Sequence, residues 1–389
     1  MKRSALEDML VATARPDVIS LALGLPAADL FPVGPLGRAI AGLLSSDARA
    51  LQYAPPLSEL RASVARLMRR RGVACEPEQV FLTAGAQQGM SLLARLLLDP
   101  GATVVLEASC YTGFQQAVAP RQPAIVTVPA GLPGGIDLDA LEATLAKGTR
   151  PALLYTMSDG HNPLGTSMPE GNRRRLVDLA RAYSFPVLED DAYGMISYDD
   201  ESLPALRALD PDWVLYIGSF SKTLAPALRA GWVIVPERFV GPLSSLKESS
   251  DINTTTLGQR SVCAFLAAGG FDEHVERLRA EYARRRDVLL SALERTWPPG
   301  TRWSRPRAGF FTWVELPDDV DTVRLLETAL KRERVAFVPG AAFAAGDAGP
   351  ARSALRLNFS YSPPEVLEEG AARIARALES LRRTARAEV

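Results

Sequence analysis

Lys222 stands in Gly218-Ser219-Phe220-Ser221-Lys222-Thr223, after the apolar run 214–217 and shortly before a second apolar run, 232–235. A charged ammonium between two buried strands is costly. Desolvation lowers a lysine's pKa and makes its amine a nucleophile toward an aldehyde. Ser219, Ser221 and Arg229 flank it, two hydroxyls and a guanidinium of the kind that binds a phosphate oxyanion. The chemistry open to this set is imine formation with a phosphorylated aldehyde. Taken alone, Ser-x-Ser-Lys reads as a solvent-exposed loop, so the companions elsewhere in the chain decide.

Those companions fall at the ends of strand-like runs. Runs at 80–82, 104–106, 125–128, 152–155 and 187–188 alternate with helix-like segments. Such alternation predicts a mostly parallel sheet covered on both faces, with ligands beyond the carboxyl ends of its strands. Tyr111 lies beyond Leu106, His161-Asn162-Pro163 beyond Tyr155, and Glu189-Asp190-Asp191-Ala192-Tyr193 beyond Leu188. The small-residue turn Thr83-Ala84-Gly85-Ala86-Gln87-Gln88 follows a strand and opens a helix, where free backbone N–H groups suit a phosphate. Gly24, in Leu23-Gly24-Leu25-Pro26, would let backbone approach a ligand. Nothing matches a Gly-x-Gly-x-x-Gly fingerprint or a P-loop. Leu60, Val64, Leu67 and Met68 mark one face of a helix that Gly72 ends, with Arg66 and Arg69 to Arg71 expected on its solvated face.

A chain of 389 residues exceeds one compact core, and two domains are expected. We divide it into an N-terminal arm (1–45) that joins the small domain, a large domain (46–290), and a small C-terminal α+β domain (291–389). The 44 Lys+Arg against 45 Asp+Glu leave a formal charge of -1, which gives no reason to expect nucleic acid or membrane as a partner. Three scattered cysteines and two histidines argue against a disulfide framework and a histidine-rich metal site. No signal peptide or membrane-span pattern is read, and a cytoplasmic location is expected.

On these motifs, in this order, the chain resembles the fold type I pyridoxal 5'-phosphate (PLP) enzymes of the class I/II aminotransferase family, from about residue 18 to 360. Within it the chain is most similar to the branch holding 2-aminoadipate and kynurenine aminotransferases and the MocR-like domains. The resemblance implies that Lys222 holds PLP as an aldimine and shuttles the Cα proton, with Asp190 on the pyridinium nitrogen. It implies Tyr193 and Asn162 on the ring hydroxyl and Tyr111 stacked on the ring. Gly85, Ala86, Gln87, Ser219, Ser221 and Arg229 would hold the phosphate, joined by Tyr53 from the neighbouring subunit of a homodimer. Arg356 would clamp the substrate α-carboxylate. No metal is implied. The segment Met157-Ser158-Asp159-Gly160-His161 departs from the family pattern. It leads to the expectation of an unusual, polar or cationic amino acid substrate contacting Asp159, beside Gly24 and Asn162. The acceptor would be a 2-keto acid. Competing outcomes are elimination, cyclisation or oxidation on the same cofactor, and a MocR-like PLP sensor without catalysis. The latter ranks lower because the Gly24-Pro26 segment lies so near the first residue.

Overall fold

The computed structural model describes residues 17–198, 203–317 and 320–387. Residues 1–16, part of the expected arm, lie outside it. The described chain begins with β1 (Ile19–Ser20). The central sheet then uses β2 (Val80–Thr83), β3 (Thr103–Glu107) and β4 (Ala124–Val128). A short hairpin, β5 (Ala130–Gly131) and β6 (Gly135–Ile136), follows. β7 (Leu153–Thr156), β8 (Val187–Asp190), β9 (Val214–Ser219) and β10 (Gly231–Ile234) complete the sheet. Its seven strands run in the order β2-β10-β9-β8-β7-β3-β4, all parallel except β10, which is antiparallel to both neighbours.

The strand-like runs of the sequence correspond to these strands within one or two residues. β7, β8, β9 and β10 are buried along their whole length, as expected of strands covered on both faces. That burial explains why their side chains do not alternate: each side packs on helices, and each large apolar residue contributes about 1.5–3 kcal/mol. The helix Ala86–Leu97 comes so close to the sheet that a side chain on its Gly89 would meet Val233 at 2.8 Å.

A second sheet is built from β11 (Arg302–Trp303), β12 (Phe311–Glu315), β14 (Val338–Pro339) and β15 (Ala354–Asn358), in the order β11-β12-β15-β14. The N-terminal strand β1 pairs in parallel with β13 (Val335–Ala336). The segment after β1 is therefore stitched to the C-terminal part: Leu21 N–H donates to Ala336 O, and Asn358 N–H donates to Leu21 O. The long helices Phe271–Thr296 and Pro364–Ala387 pack on each other. Among the described residues, no helix is long and apolar enough to cross a membrane.

One helix departs from the sequence reading. Ser58–Arg70 forms as the spacing of Leu60, Val64, Leu67 and Met68 requires, and Gly72 follows it at φ +75°. Arg71 at its end, however, is 6% exposed rather than on a solvated face. The 3.6-residue period places it on no particular face, because it lies past the last helical residue and the chain has already turned inward.

Candidate active site

A cavity of about 330 Å³ opens at the carboxyl ends of the parallel strands. Each strand end brings its own chemistry. β9 ends in Ser219 and leads to Ser221 and Lys222; β8 ends in Asp190 and leads to Ala192 and Tyr193. The turn after β7 brings Asn162, the turn after β3 brings Tyr111, and the turn after β2 brings Ala86 and Gln87. Arg356 reaches in from β15, and Leu23, Gly24 and Leu25 close one wall from the N-terminal segment.

Lys222 Nζ donates to Gly24 O at 2.8 Å. Burial, then the nearby positive charge of Arg356, lower its pKa to about 8, against the opposing pull of Asp190. The amine therefore gives up its proton far more readily than an ordinary lysine, as a nucleophile toward an aldehyde needs.

Asp190 is 2% exposed. Its Oδ2 accepts from the Tyr155 hydroxyl at 2.9 Å. Its Oδ1 is buried without a hydrogen-bond partner. Burial raises the carboxyl to about 6, with the Tyr155 hydrogen bond opposing and the Asp191 charge adding to the rise. A buried acceptor left open on a cavity wall is costly. A protonated ring nitrogen would satisfy it and return the carboxyl to its ionised form.

The phosphate side is equally defined. Gly85 lies at φ +83° as the N-cap of Ala86–Leu97, and a side chain there would meet Arg229 Nη2 at 2.8 Å. Only glycine suits both the backbone and the space. The first helical turn leaves the Ala86 and Gln87 N–H groups without intrahelical acceptors. Arg229 Nη2 donates to Ala84 O at 2.8 Å, which draws the guanidinium over this turn. Ser219 Oγ accepts from Ser221 N–H at 3.1 Å and lies 3.0 Å from Ser221 Oγ.

Arg356 is 3% exposed, between the rings of Phe311 (4.1 Å) and Phe343 (4.8 Å). Nη1 donates to Asn162 Oδ1 at 2.7 Å and Nη2 to Ala22 O at 2.6 Å, while Nε is buried without a partner. The Tyr111 side chain folds back over Gly113, where a side chain would come within 2.5 Å of its ring. Tyr193 is 3% exposed, and burial pushes its hydroxyl pKa up.

Of the residues given a site role from the sequence, all but Tyr53 and Asp159 meet at this cavity or its turn. Tyr53 is 85% exposed, outside the cavity. Asp159 is the correction: it does not face substrate. It is 6% exposed and ion-paired to Arg71 at 2.6 Å and Arg173 at 2.6 Å. Burial alone would raise its pKa, but these two guanidiniums hold it below the usual value. His161 is also buried, its Nε2 2.5 Å from Glu107 Oε2. Gly160, at φ +57°, passes so close to Ala308 and Gly309 that a side chain would meet their backbone at 2.8 Å. The departure at 157–161 is therefore a packing arrangement and adds no polarity to the substrate mouth.

Sequence reasoning overlooked Tyr155, which serves Asp190 but read only as a strand residue. It also overlooked the apolar wall of Leu23, Leu25, Pro226 and Phe311. Such residues carry no chemical mark by which the sequence alone could assign them to a site.

A buried lysine with a lowered pKa, a buried carboxyl with one open oxygen, an anion cradle at a helix start and a buried arginine with an open N–H form a site that suits a phosphorylated pyridine aldehyde beside a carboxylate substrate. Comparison with known proteins agrees. The family model "Aminotransferase class I and II" matches residues 17–374. The chain is similar to the 2-aminoadipate transaminase of Thermus thermophilus, 38% identical, covering 98% of this chain and 95% of that protein. It is also similar to aromatic-amino-acid aminotransferase 1 of Thermococcus litoralis, 36% identical, covering 97% and 92%. Among solved structures it is similar to the alpha-aminoadipate aminotransferase LysN of Thermus thermophilus complexed with N-(5'-phosphopyridoxyl)-L-leucine. That match has a TM-score of 0.90 and 37% identity, and covers 97% and 95% of the two chains. The chain belongs to the aminotransferase class I and II family. With the family come its cofactor, PLP, and its reaction, amino-group transfer between an amino acid and a 2-keto acid.

Proposed function

We propose that Lys222 carries the cofactor aldehyde, and that the amino acid transferred has an uncharged, largely apolar side chain. The observation that carries this reading is the open Asp190 Oδ1 in the same cavity as a buried lysine whose pKa is lowered to about 8. When bound, PLP supplies an electron sink for the negative charge that develops on the substrate Cα. Asp190 takes the ring N–H. Tyr193 and Asn162 serve the ring hydroxyl, and Tyr111 lies against the ring. Ala86, Gln87, Ser219, Ser221 and Arg229 bind the phosphate, which Gly85 lets approach. Arg356 grips the substrate α-carboxylate, using the N–H groups not engaged by Asn162 and Ala22. That grip would point the Cα–H toward Lys222, whose amine, freed once the substrate amine displaces it from the aldehyde carbon, would take the Cα proton and pass it to that carbon.

The substrate's side chain meets Leu23, Leu25 and Phe311. Among the described residues the cavity's cations are Lys222, Arg229 and Arg356, all assigned above, so none remains for a second carboxylate. This replaces the expectation of a polar or cationic substrate, whose contact, Asp159, is turned away and ion-paired.

The same reading includes a homodimer in the cytoplasm, with Tyr53 of each subunit serving its partner's phosphate. Its support is the exposure of Tyr53, 85% exposed and outside its own subunit's cavity, which leaves the side chain available to a neighbouring subunit.

Borohydride reduction of the PLP-loaded protein, followed by peptide mass analysis, tests the assignment. The expected product is a phosphopyridoxyl group on Lys222, with turnover lost in Lys222→Ala. Label on another lysine, or turnover surviving in Lys222→Ala, would refute it.

A further inference from the structure

Asp159 and Arg71, each expected in contact with something outside the protein, meet each other instead. Arg71 follows the helix Ser58–Arg70 and belongs to neither loop it touches. Its Nη2 donates to Asp159 Oδ2 at 2.6 Å and its Nε to Asp191 Oδ2 at 3.2 Å. Asp159 lies three residues before Asn162, and Asp191 directly follows Asp190. One guanidinium therefore bridges the turn after β7 and the end of β8, the two places that carry Asn162 and Asp190.

The remaining acceptors are saturated from other directions. Arg173, fully buried, donates Nη2 to Asp159 Oδ1 at 2.6 Å and to Ser158 O at 2.9 Å. Asp191 Oδ1 accepts from Gly194 N–H at 2.7 Å, and its Oδ2 from the Tyr216 hydroxyl at 2.7 Å. Two arginines thus face two aspartates, every carboxylate oxygen is bonded, and neither aspartate lines the cavity. A buried ion pair adds little stability over well-packed apolar groups, and its best-attested use is to fix one arrangement among several. A rigid planar fork that spans two acceptors suits that use; a lysine's single point charge does not.

We propose that Arg71 is a positioning residue of the active site: by bridging Asp159 and Asp191 it holds the Asn162 turn and the Asp190 strand end in register, and so sets where the cofactor ring lies. This rests on the functional reading above. A misplacement of about 1 Å at a reacting centre costs on the order of 100-fold in rate.

The test uses the PLP-loaded protein and its Arg71→Met, Arg71→Lys and Asp159→Asn variants. Measured are kcat, PLP affinity, thermal midpoint and the visible circular dichroism of the bound cofactor, which reports ring orientation. Expected are a fall in kcat of about 10–100-fold in Arg71→Met, an altered visible dichroism, and partial recovery of both in Arg71→Lys. Wild-type kcat and dichroism with only a lowered thermal midpoint would mean that Arg71 is merely structural, and would overturn the proposal. If Arg71→Met does not fold, Arg71→Lys and Asp159→Asn decide by the same two readouts. A wild-type protein without turnover and cofactor band overturns the functional reading as well. A wild-type protein with both, alongside unchanged variants, overturns this inference alone.

Discussion

Replacing Arg356 tests how the site recognises an amino acid. Its guanidinium is pinned by Asn162 and Ala22, sandwiched by Phe311 and Phe343, and keeps a buried Nε–H without a partner. A carboxylate that takes up that N–H and shares a neighbouring one gains two charge-assisted hydrogen bonds, each worth about 1.5–3 kcal/mol. Allowing for the acceptors already present on the other two nitrogens, the loss in Arg356→Met is about 3–4 kcal/mol in kcat/KM, or roughly 100–1000-fold. Arg356→Lys recovers only part of it, because an ammonium cannot offer the fork. The assay compares two substrates: an amino acid, and the primary amine that lacks its α-carboxylate. The amino acid's kcat/KM is expected to collapse while the amine's changes little and PLP affinity holds. An equal loss for both substrates would show that Arg356 supports the fold or the cofactor, and the carboxylate clamp would have to be sought elsewhere. Burial lowers the Arg356 pKa only to about 10, so the guanidinium stays charged through the neutral range and the preference for amino acid over amine should be flat there.

Asp190→Asn separates function from stability. The folded carboxyl titrates at about 6, above its ordinary 3.8. Its contribution to stability is therefore complete below about pH 4 and lost as pH rises through 6, leaving a cost of about 3 kcal/mol at higher pH. The cofactor-free variant should melt higher than wild type at pH 8 yet bind PLP about 10–100-fold more weakly; a lower melting point would contradict the burial argument. Gly85→Ala forces a side chain onto a left-handed backbone and within 2.8 Å of Arg229. It should weaken PLP binding by about tenfold or more through strain of about 1–3 kcal/mol, and unchanged affinity by titration would count against the phosphate cradle. Sedimentation should give twice the 41.9 kDa chain mass. Tyr53→Phe should leave that mass unchanged and weaken PLP binding by about tenfold; a fully active monomer would refute the shared site.

Much of this was written locally. Lys222 with its serines, the glycine turn at 85, and the acids at 189–191 each lie within a few residues of an apolar strand run. In a parallel sheet, chemistry gathers at strand ends, so reading the strands located the residues. The small-residue turn and the lysine could be recognised because their demands, a left-handed backbone and a desolvated amine, are met within one stretch of chain.

What the chain did not disclose were partnerships across it. Asp159 and Arg71 are 88 residues apart; taken alone, one reads as a substrate contact and the other as a solvated charge, since a charged side chain is buried only when a distant partner arrives to meet it. Arg356 and Asn162, 194 residues apart, carry no sign that one aims the other. Local sequence determines backbone preference and the apolar periods, because those depend on neighbours three or four residues away. Whether a charge faces water, a substrate or another charge is decided only when strand order and helix packing bring remote segments together, and there the tertiary structure alone chose.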